Sequence, residues 1–421
     1  MRFPLQRSFW PSSQSVPDTA GGPRGARRAR PATALDRWCL GQLASAVRGV
    51  PVTLVLWDGT AREGAGVESR HTVRIGSRRT LWRLAADPDL AFGEGFTSGD
   101  LQVDGDVYAL VDQAARALAR RPATAAARLG AALGRWAGAS TDGARRNARH
   151  HYDLGNDFYR LWLDDQLVYT CACFPSPEAT LEAAQVEKMD RVCRKLDLEP
   201  GVRVFEAGCG WGALACYMAA TCAARVRAWN VSHEQVLEAR ARARHLGDRV
   251  TIVEDDWRRI DGQCDVFVSL GMIEHVGAAR YGELGAVINR CLDREHGRGL
   301  LHFIGRAAVA PPSRWTRRHV FPGYYLPTLG EVLARVLEPH GLSVLDVENL
   351  RRHYALTLEH WRDRFEEIAG EAATRYGDAF TRMWRYYLAG AHAGFEAGYL
   401  QLFQVTFARE GWAPRAWGRV A

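Results

Sequence analysis

Lysine is almost missing from this chain. Of 55 basic side chains, only Lys188 and Lys195 are lysine, a bias that reads as the base composition of a coding sequence and not as chemistry. No apolar run approaches the roughly 18 residues that a membrane-crossing helix needs, which excludes a helical span. No pair of CxxC motifs accompanies the nine cysteines, and Cys171 and Cys173 stand too close for a zinc knuckle. An odd number of scattered cysteines in a 421-residue chain suggests reduced thiols and a cytoplasmic setting. Acids are scarce in residues 1–34, where Asp18 faces six arginines (Arg2, Arg7, Arg24, Arg27, Arg28 and Arg30). That stretch carries most of the formal charge of +7, so the remainder is nearly neutral and no nucleic-acid partner is expected. It has no hydrophobic stretch of a secretory signal, and its Pro, Gly, Ser and Arg content predicts a disordered basic leader.

What is present organises into three further parts. "LDRWCLGQLASAV" has helical apolar spacing, while "VPVTLVLWDG" and "HTVRIGS" read as strands with a turn at Asp58-Gly59. With the glycine-rich, turn-laden "AFGEGFTSGDLQVDGDV", they predict a small α+β domain over 35–112. An alanine-rich helical linker, broken at Pro122, follows over 113–146. From 147 to 421 strands alternate with helices: "VRVFEAG", "ARVRAWNV", "RVTIVED", "DVFVSLG" and "GLLHFIG", with "LQLFQVTFAR" closing the chain as a strand. Such alternation predicts an α/β fold with a parallel sheet covered on both faces.

The sharpest local signal is "VFEAGCGWGALA", a strand that runs through Gly208, Gly210 and Gly212 into a helix. Glycines there let the backbone turn tightly and approach a ligand at the helix N-terminus. The spacing is G-x-G-x-G, and the next strand ends in Asn230 and Ser232, without the acid that a nicotinamide dinucleotide would want. Glu206 before the glycines and Asp255 and Asp256 after the third strand suit S-adenosylmethionine instead: one carboxylate can face its amino group, another the adenine amine. Another nucleotide, or a purely structural turn, remains the competing reading.

The ordered blocks "HYDLGNDFYRLWLD", "YTCACF", "QVEKMDRVCRKL", "GCGWGALA", "VSHEQ", "SLGMIEHVG", "FIGR", "FPGYYLPTL", "HYALTLEHWRDRF" and "MWRYYLAGAHAGF" resemble the cyclopropane fatty acid synthase and mycolic acid methyltransferase family. The resemblance implies a Rossmann-like S-adenosylmethionine methyltransferase domain with a lipid-facing N-terminal module. It implies methylene transfer to a cis double bond of a phospholipid acyl chain, with bound bicarbonate as the base. Carried over residue by residue, the bicarbonate holders are Cys171, Glu274, His302, the Ile304 backbone and Tyr354. The methyl-donor residues are Tyr169, Thr170, Glu206, Gly208, Gly210, Ser232, Gln235, Asp256 and Trp257. Glu206 could instead serve the sheet edge, and His275 is expected to face a local polar network.

Taken singly, each of these residues has a plainer reading: a cap for Glu274, a small core hydrophobe for Cys171, a satisfied core histidine for His302, packing for Tyr354. Their coincidence is what carries the site. Relocating the base would give methyl-branched or methylene chains, an unproductive site would leave a lipid-binding module, and a small-amine N-methyltransferase is a further relative. Tyr324, where the family has a glycine, is expected to reshape the acyl channel. The loop "RWTRRHVFPGYY", with Arg314, Arg317 and Arg318 beside Trp315 and Phe321, and the basic leader are the expected contacts with an anionic membrane surface. The protein is thus expected at the inner membrane surface, peripherally bound to unsaturated phospholipid, as a homodimer.

Overall fold

The computed structural model describes residues 30–64, 68–119, 155–410 and 412. The expected leader lies almost wholly outside these residues, as does most of the helical linker with its Pro122. The N-terminal part opens with α1 (Ala34–Ala46), whose Thr33 and Asp36 form a reciprocal capping box. Strands β1 (Val52–Leu56), β2 (Ala61–Glu63) and β3 (His71–Ile75) follow, then helices α2 (Arg78–Ala86) and α3 (Pro88–Ser98), strand β4 (Leu101–Asp104) and α4 (Val107–Ala119). The sheet order is β2-β1-β3-β4, with β1 and β3 parallel. Alternating burial along β1 and β3 turns one face onto a core of Leu40, Leu54, Val73, Leu81 and Leu101.

One expectation fails here. "AFGEGFTS" is not a turn but the body of α3, with Gly93 and Gly95 inside the helix. The reason is tertiary: a Cβ at Gly93 would fall inside the indole of Trp315, and one at Gly95 would crowd Leu101 at 3.1 Å. The helix accepts the glycine cost, about 1 kcal/mol per residue, in return for close approach.

The second unit contains α5 (Leu181–Lys195), β5 (Arg203–Ala207), α6 (Ala213–Thr221), β6 (Arg225–Asn230), α7 (His233–Ala243), β7 (Val250–Glu254), β8 (Val266–Leu270), α8 (Tyr281–Cys291), β9 (Arg298–Arg306), β10 (Leu342–Asn349), α9 (Arg351–Glu367), α10 (Asp378–Ala397) and β11 (Leu400–Arg409). Its seven strands run in the order β10-β11-β9-β8-β5-β6-β7. The five from β7 to β9 are parallel, and β11 and β10 are antiparallel additions. Strand β10 went unread in the sequence. It is an exposed edge strand with almost no buried face, and a register shift between Val344 and Asp346 interrupts its apolar alternation.

Strand β5 is central, with β6 on one side and β8 on the other. The chain order reverses there, and that switch point is where doubly wound sheets open a crevice beyond their carboxyl ends. An aromatic cluster that includes Trp162, Trp361 and Trp384 packs over this end. It is built largely from α9 and α10, and α10 in turn receives the small unit. Tyr386 packs on Phe92 and Phe96 with ring centroids 5.5 and 6.3 Å apart, and Arg382 donates to the Thr97 carbonyl at 3.0 Å.

Candidate active site

The crevice opens into a cavity of about 1430 Å3. Small-molecule pockets run to about 300–1,000 Å3, so this one has room for two ligands side by side. Of the fourteen residues the sequence nominated, thirteen line it. Ser232 does not; it is buried at the N-cap of α7 with its hydroxyl unpartnered.

At the donor end, the turn after β5 depends on backbone freedom. Gly208 and Gly210 have φ of +84° and +53°, where a side chain is strained. The N–H groups of Gly208 and Cys209 both donate to the Trp229 carbonyl, at 2.9 and 3.1 Å, which ties the turn to β6. Asn230 donates to the Gly210 carbonyl at 3.0 Å and to Gln235 Oε1 at 2.8 Å, so Gln235 braces the turn from α7. Glu206 sits on the central strand, not at a sheet edge, which removes that alternative. Burial pushes its carboxyl up to about 8, the nearby Lys188 ammonium pulling the other way, and Oε2 has no partner. The Asp256 carboxylate is gripped by Arg258 through two bonds of 2.7 Å, and the Arg258 guanidinium lies 5.6 Å from the Trp257 ring.

At the other end, Glu274 leaves β8 on the helical turn Ile273–Val276 and points back at β9. Its Oε1 accepts the Ile304 N–H at 2.6 Å, while Oε2 is buried without a partner. Burial raises this carboxyl to about 7, offset by that bond. The expected role of Ile304 changes accordingly: its N–H is already donated to Glu274 and supports the carboxylate. His302 is one per cent exposed, accepts at Nδ1 from Gln404 at 3.2 Å, and has Nε2 unpartnered. The Cys171 thiol donates to the Ala172 carbonyl at 3.1 Å. Tyr354 lies 4.4 Å from Phe395 and 6.0 Å from Trp361, ring to ring, within the aromatic wall. His275 packs edge-on against Phe321 at 5.9 Å, and burial lowers it to about 4, hence neutral.

Between the two ends, Tyr169 and Thr170 are held from behind. The Tyr169 and Tyr387 hydroxyls are 2.8 Å apart, and the Tyr169 ring lies 5.1 Å from Trp361. Lys188 Nζ donates to Thr170 Oγ1 at 2.8 Å from a position only 1% exposed. Sequence reasoning missed this lysine, although its rarity was the available signal. Tyr324 does line the cavity.

The loop expected to meet a membrane does not present its aromatics. Trp315 is buried, 4.6 Å from Tyr386, and Arg314 and Arg318 pair with Asp87 and Glu94 of the small unit. Paired in this way through Arg314 and Arg318, the loop is a seam between the two units. Past that seam the cavity continues into the small unit, where Val52, Leu54, Val73, Leu101 and Leu110 form an aliphatic end. Among the described residues no helix is long and apolar enough to cross a membrane.

Residues 139–405 match the family described as mycolic acid cyclopropane synthetase, and residues 39–120 match a domain of unknown function. A "probable fatty acid methyltransferase" of Pseudomonas putida is 35% identical over 87% of this chain and 94% of its own length. The tuberculostearic acid methyltransferase UfaA1 of Mycobacterium tuberculosis is 34% identical over 95% of this chain and 96% of its own. The cyclopropane-fatty-acyl-phospholipid synthase of Escherichia coli is 39% identical over 62% of this chain and 67% of that protein. Among solved structures, mycolic acid cyclopropane synthase CmaA1 complexed with SAH and CTAB superposes with a TM-score of 0.60 at 29% identity, covering 63% of this chain and 98% of that one.

Proposed function

The chain belongs to the mycolic acid cyclopropane synthetase family and is an S-adenosylmethionine-dependent methyltransferase of the cyclopropane synthase type; from that premise we propose that it converts a cis double bond in a phospholipid acyl chain to a cyclopropane ring. The observation that carries this reading is a pair of orphaned polar atoms. Glu274 Oε2 and His302 Nε2 are buried, unpartnered and on the wall of the cavity that the Gly208–Gly210 turn also lines. Buried polar atoms without partners ask for a ligand.

An alkene is a poor nucleophile, so the donor must supply an electrophilic methyl on a sulfonium, held in line with the double bond. The donor's place in this reading is the Gly208–Gly210 turn, with Glu206 toward its amino group and Asp256 and Trp257 toward its adenine. As the donor's carbon–sulfur bond breaks, positive charge grows on the acyl chain. The rings of Tyr169 and Tyr354, backed by Trp361, would face that charge and keep water away. A proton must then leave the transferred carbon so that the ring can close, and a bound bicarbonate would supply the base. Raised toward neutrality, Glu274 can keep its proton and donate from Oε2 to such an anion, with His302 Nε2 and the Cys171 N–H as further donors and Tyr354 beside them.

The acyl chain has an apolar path, from the seam at Trp315 to the aliphatic end beside Leu54. In this reading the small unit holds the chain while the larger one holds the chemistry. Docking would be peripheral, on the cytoplasmic membrane face and as a homodimer, through the basic leader and the exposed Leu35 and Trp38 of α1.

A second reading has its own support, since two relatives spanning most of this chain are named a probable fatty acid methyltransferase and a tuberculostearic acid methyltransferase. There the same first step ends in a methyl-branched or methylene chain. Expression in a host lacking cyclopropane lipids, beside Glu274→Ala, separates the two. Cyclopropane chains, seen by mass and by high-field ring protons and lost in the variant, uphold the synthase. Branched chains would establish the second reading, and no altered lipid would sink both.

A further inference from the structure

The two lysines of this chain lie on one helix, α5, and Lys188 lines the cavity. Lys188 holds Thr170. Lys195, its side chain only 6% exposed, donates to Glu348 at 2.6 Å and to Gln404 Oε1 at 2.9 Å. Gln404 is fully buried on β11, directly opposite His302 of β9 in the antiparallel register. Its Nε2 lies 3.2 Å from His302 Nδ1, while His302, which lines the cavity, has no partner for Nε2 among the described residues.

Donor and acceptor roles along this row follow from the first member. An ammonium has donors only, so Gln404 must turn its carbonyl oxygen toward Lys195. The amide then presents N–H to His302, and Nδ1 must accept it. A neutral imidazole that accepts at Nδ1 carries its proton on Nε2. His302 is held neutral by burial first and then by the ammonium groups of Lys188 and Lys195. Its tautomer is therefore the variable that decides what the cavity meets.

We propose that Lys195 and Gln404 are positioning residues that lock His302 in its Nε2–H tautomer, so that it offers the cavity a hydrogen-bond donor suited to an oxyanion. The opposite tautomer would aim a lone pair at that anion. The identity of the anion as bicarbonate rests on the proposed function; the tautomer lock does not.

The test uses the full chain with 15N-labelled histidine, His302 being assigned by its loss in His302→Gln. Two-bond 15N–1H spectra should show a pyrrole-type Nε2 and a pyridine-type Nδ1. Gln404→Glu, nearly isosteric, accepts from both neighbours and should invert the pattern. Lys195→Met frees the amide and should give a mixture of both patterns. In turnover with S-adenosylmethionine and cis-monounsaturated phosphatidylethanolamine vesicles, Gln404→Glu should raise the half-saturating sodium bicarbonate concentration at least tenfold, with the KM for S-adenosylmethionine unchanged. A pyridine-type Nε2 in the unaltered chain, or an unaltered pattern in both variants, overturns the proposal. Inversion of the tautomer without any change in the bicarbonate requirement upholds the lock and overturns bicarbonate as its ligand.

Discussion

The Glu274 carboxylate and the Ile304 main chain are bound at 2.6 Å across the ends of β8 and β9, and this one bond occupies one oxygen while the other stays buried and, among the described residues, unpartnered. Glu274→Gln keeps an acceptor for Ile304 but turns the other atom into a fixed amide. Because that amide still donates to an anion, turnover should fall by only about 10-fold or less, the value of exchanging one hydrogen bond, whereas Glu274→Ala should abolish it, with S-adenosylmethionine affinity little changed by calorimetry in both.

The same residue predicts a pH signature in stability. A glutamate carboxyl titrates near 4.5 when unfolded, and Glu274 titrates at about 7 in the folded chain. The folded state therefore binds that proton more tightly, and ionising the group costs stability. The cost is absent below about 4.5, grows as pH rises to about 7 and persists above, reaching about 3 kcal/mol at most. Glu206 follows the same direction, so the comparison must isolate Glu274. The melting temperature of Glu274→Gln minus that of the parent should increase from pH 5 to pH 8. A pH-independent difference would rule the assignment out.

Lys188→Met should weaken S-adenosylmethionine binding by about 10- to 100-fold, the value of a lost hydrogen bond from a charged group, because Thr170 loses the ammonium that fixes its hydroxyl. The Glu206 carboxyl, no longer next to a cation, should hold its proton to still higher pH. Binding measured from pH 6 to pH 9 would then recover later in the variant than in the parent. Equal affinity and equal pH dependence would show that Lys188 only packs.

Narrowing the far end of the cavity with Leu54→Phe should leave donor binding intact and shift acceptance toward shorter acyl chains. Each methylene excluded is worth about 0.8 kcal/mol, or about fourfold in preference. Competition between vesicle lipids of graded chain length reads this directly. An unchanged preference would mean that the chain does not reach the small unit.

Gly93→Ala should destabilise by about 1–3 kcal/mol, since the added methyl falls where the Trp315 indole packs. Trp315→Leu in the same chain should recover part of the loss in thermal unfolding. Additive losses would contradict direct contact as the cause.

Much of this protein is written locally. Strand β11 and the parallel strands follow from apolar runs bounded by turn residues. The Gly208–Gly210 turn follows from glycines at positive φ, and "SLGMIEHVG" already showed a strand ending in an acid and an imidazole. Those signals live within a few residues, where backbone sterics and side-chain periodicity act. The α3 helix was read as turns because its glycines answer to Trp315, more than 200 residues away. The loop around Trp315 looked like a membrane contact because Asp87 and Glu94, which pair with Arg314 and Arg318, are equally remote. By itself the sequence determined the sheet, the glycine turn and the set of polar residues available to chemistry. Only the tertiary structure decided which polar atoms stay unpartnered, that Ile304 serves Glu274, and that the two rare lysines are buried against Thr170 and Gln404. The reason is physical: burial and pairing depend on what arrives from elsewhere in the chain, and no local pattern encodes that.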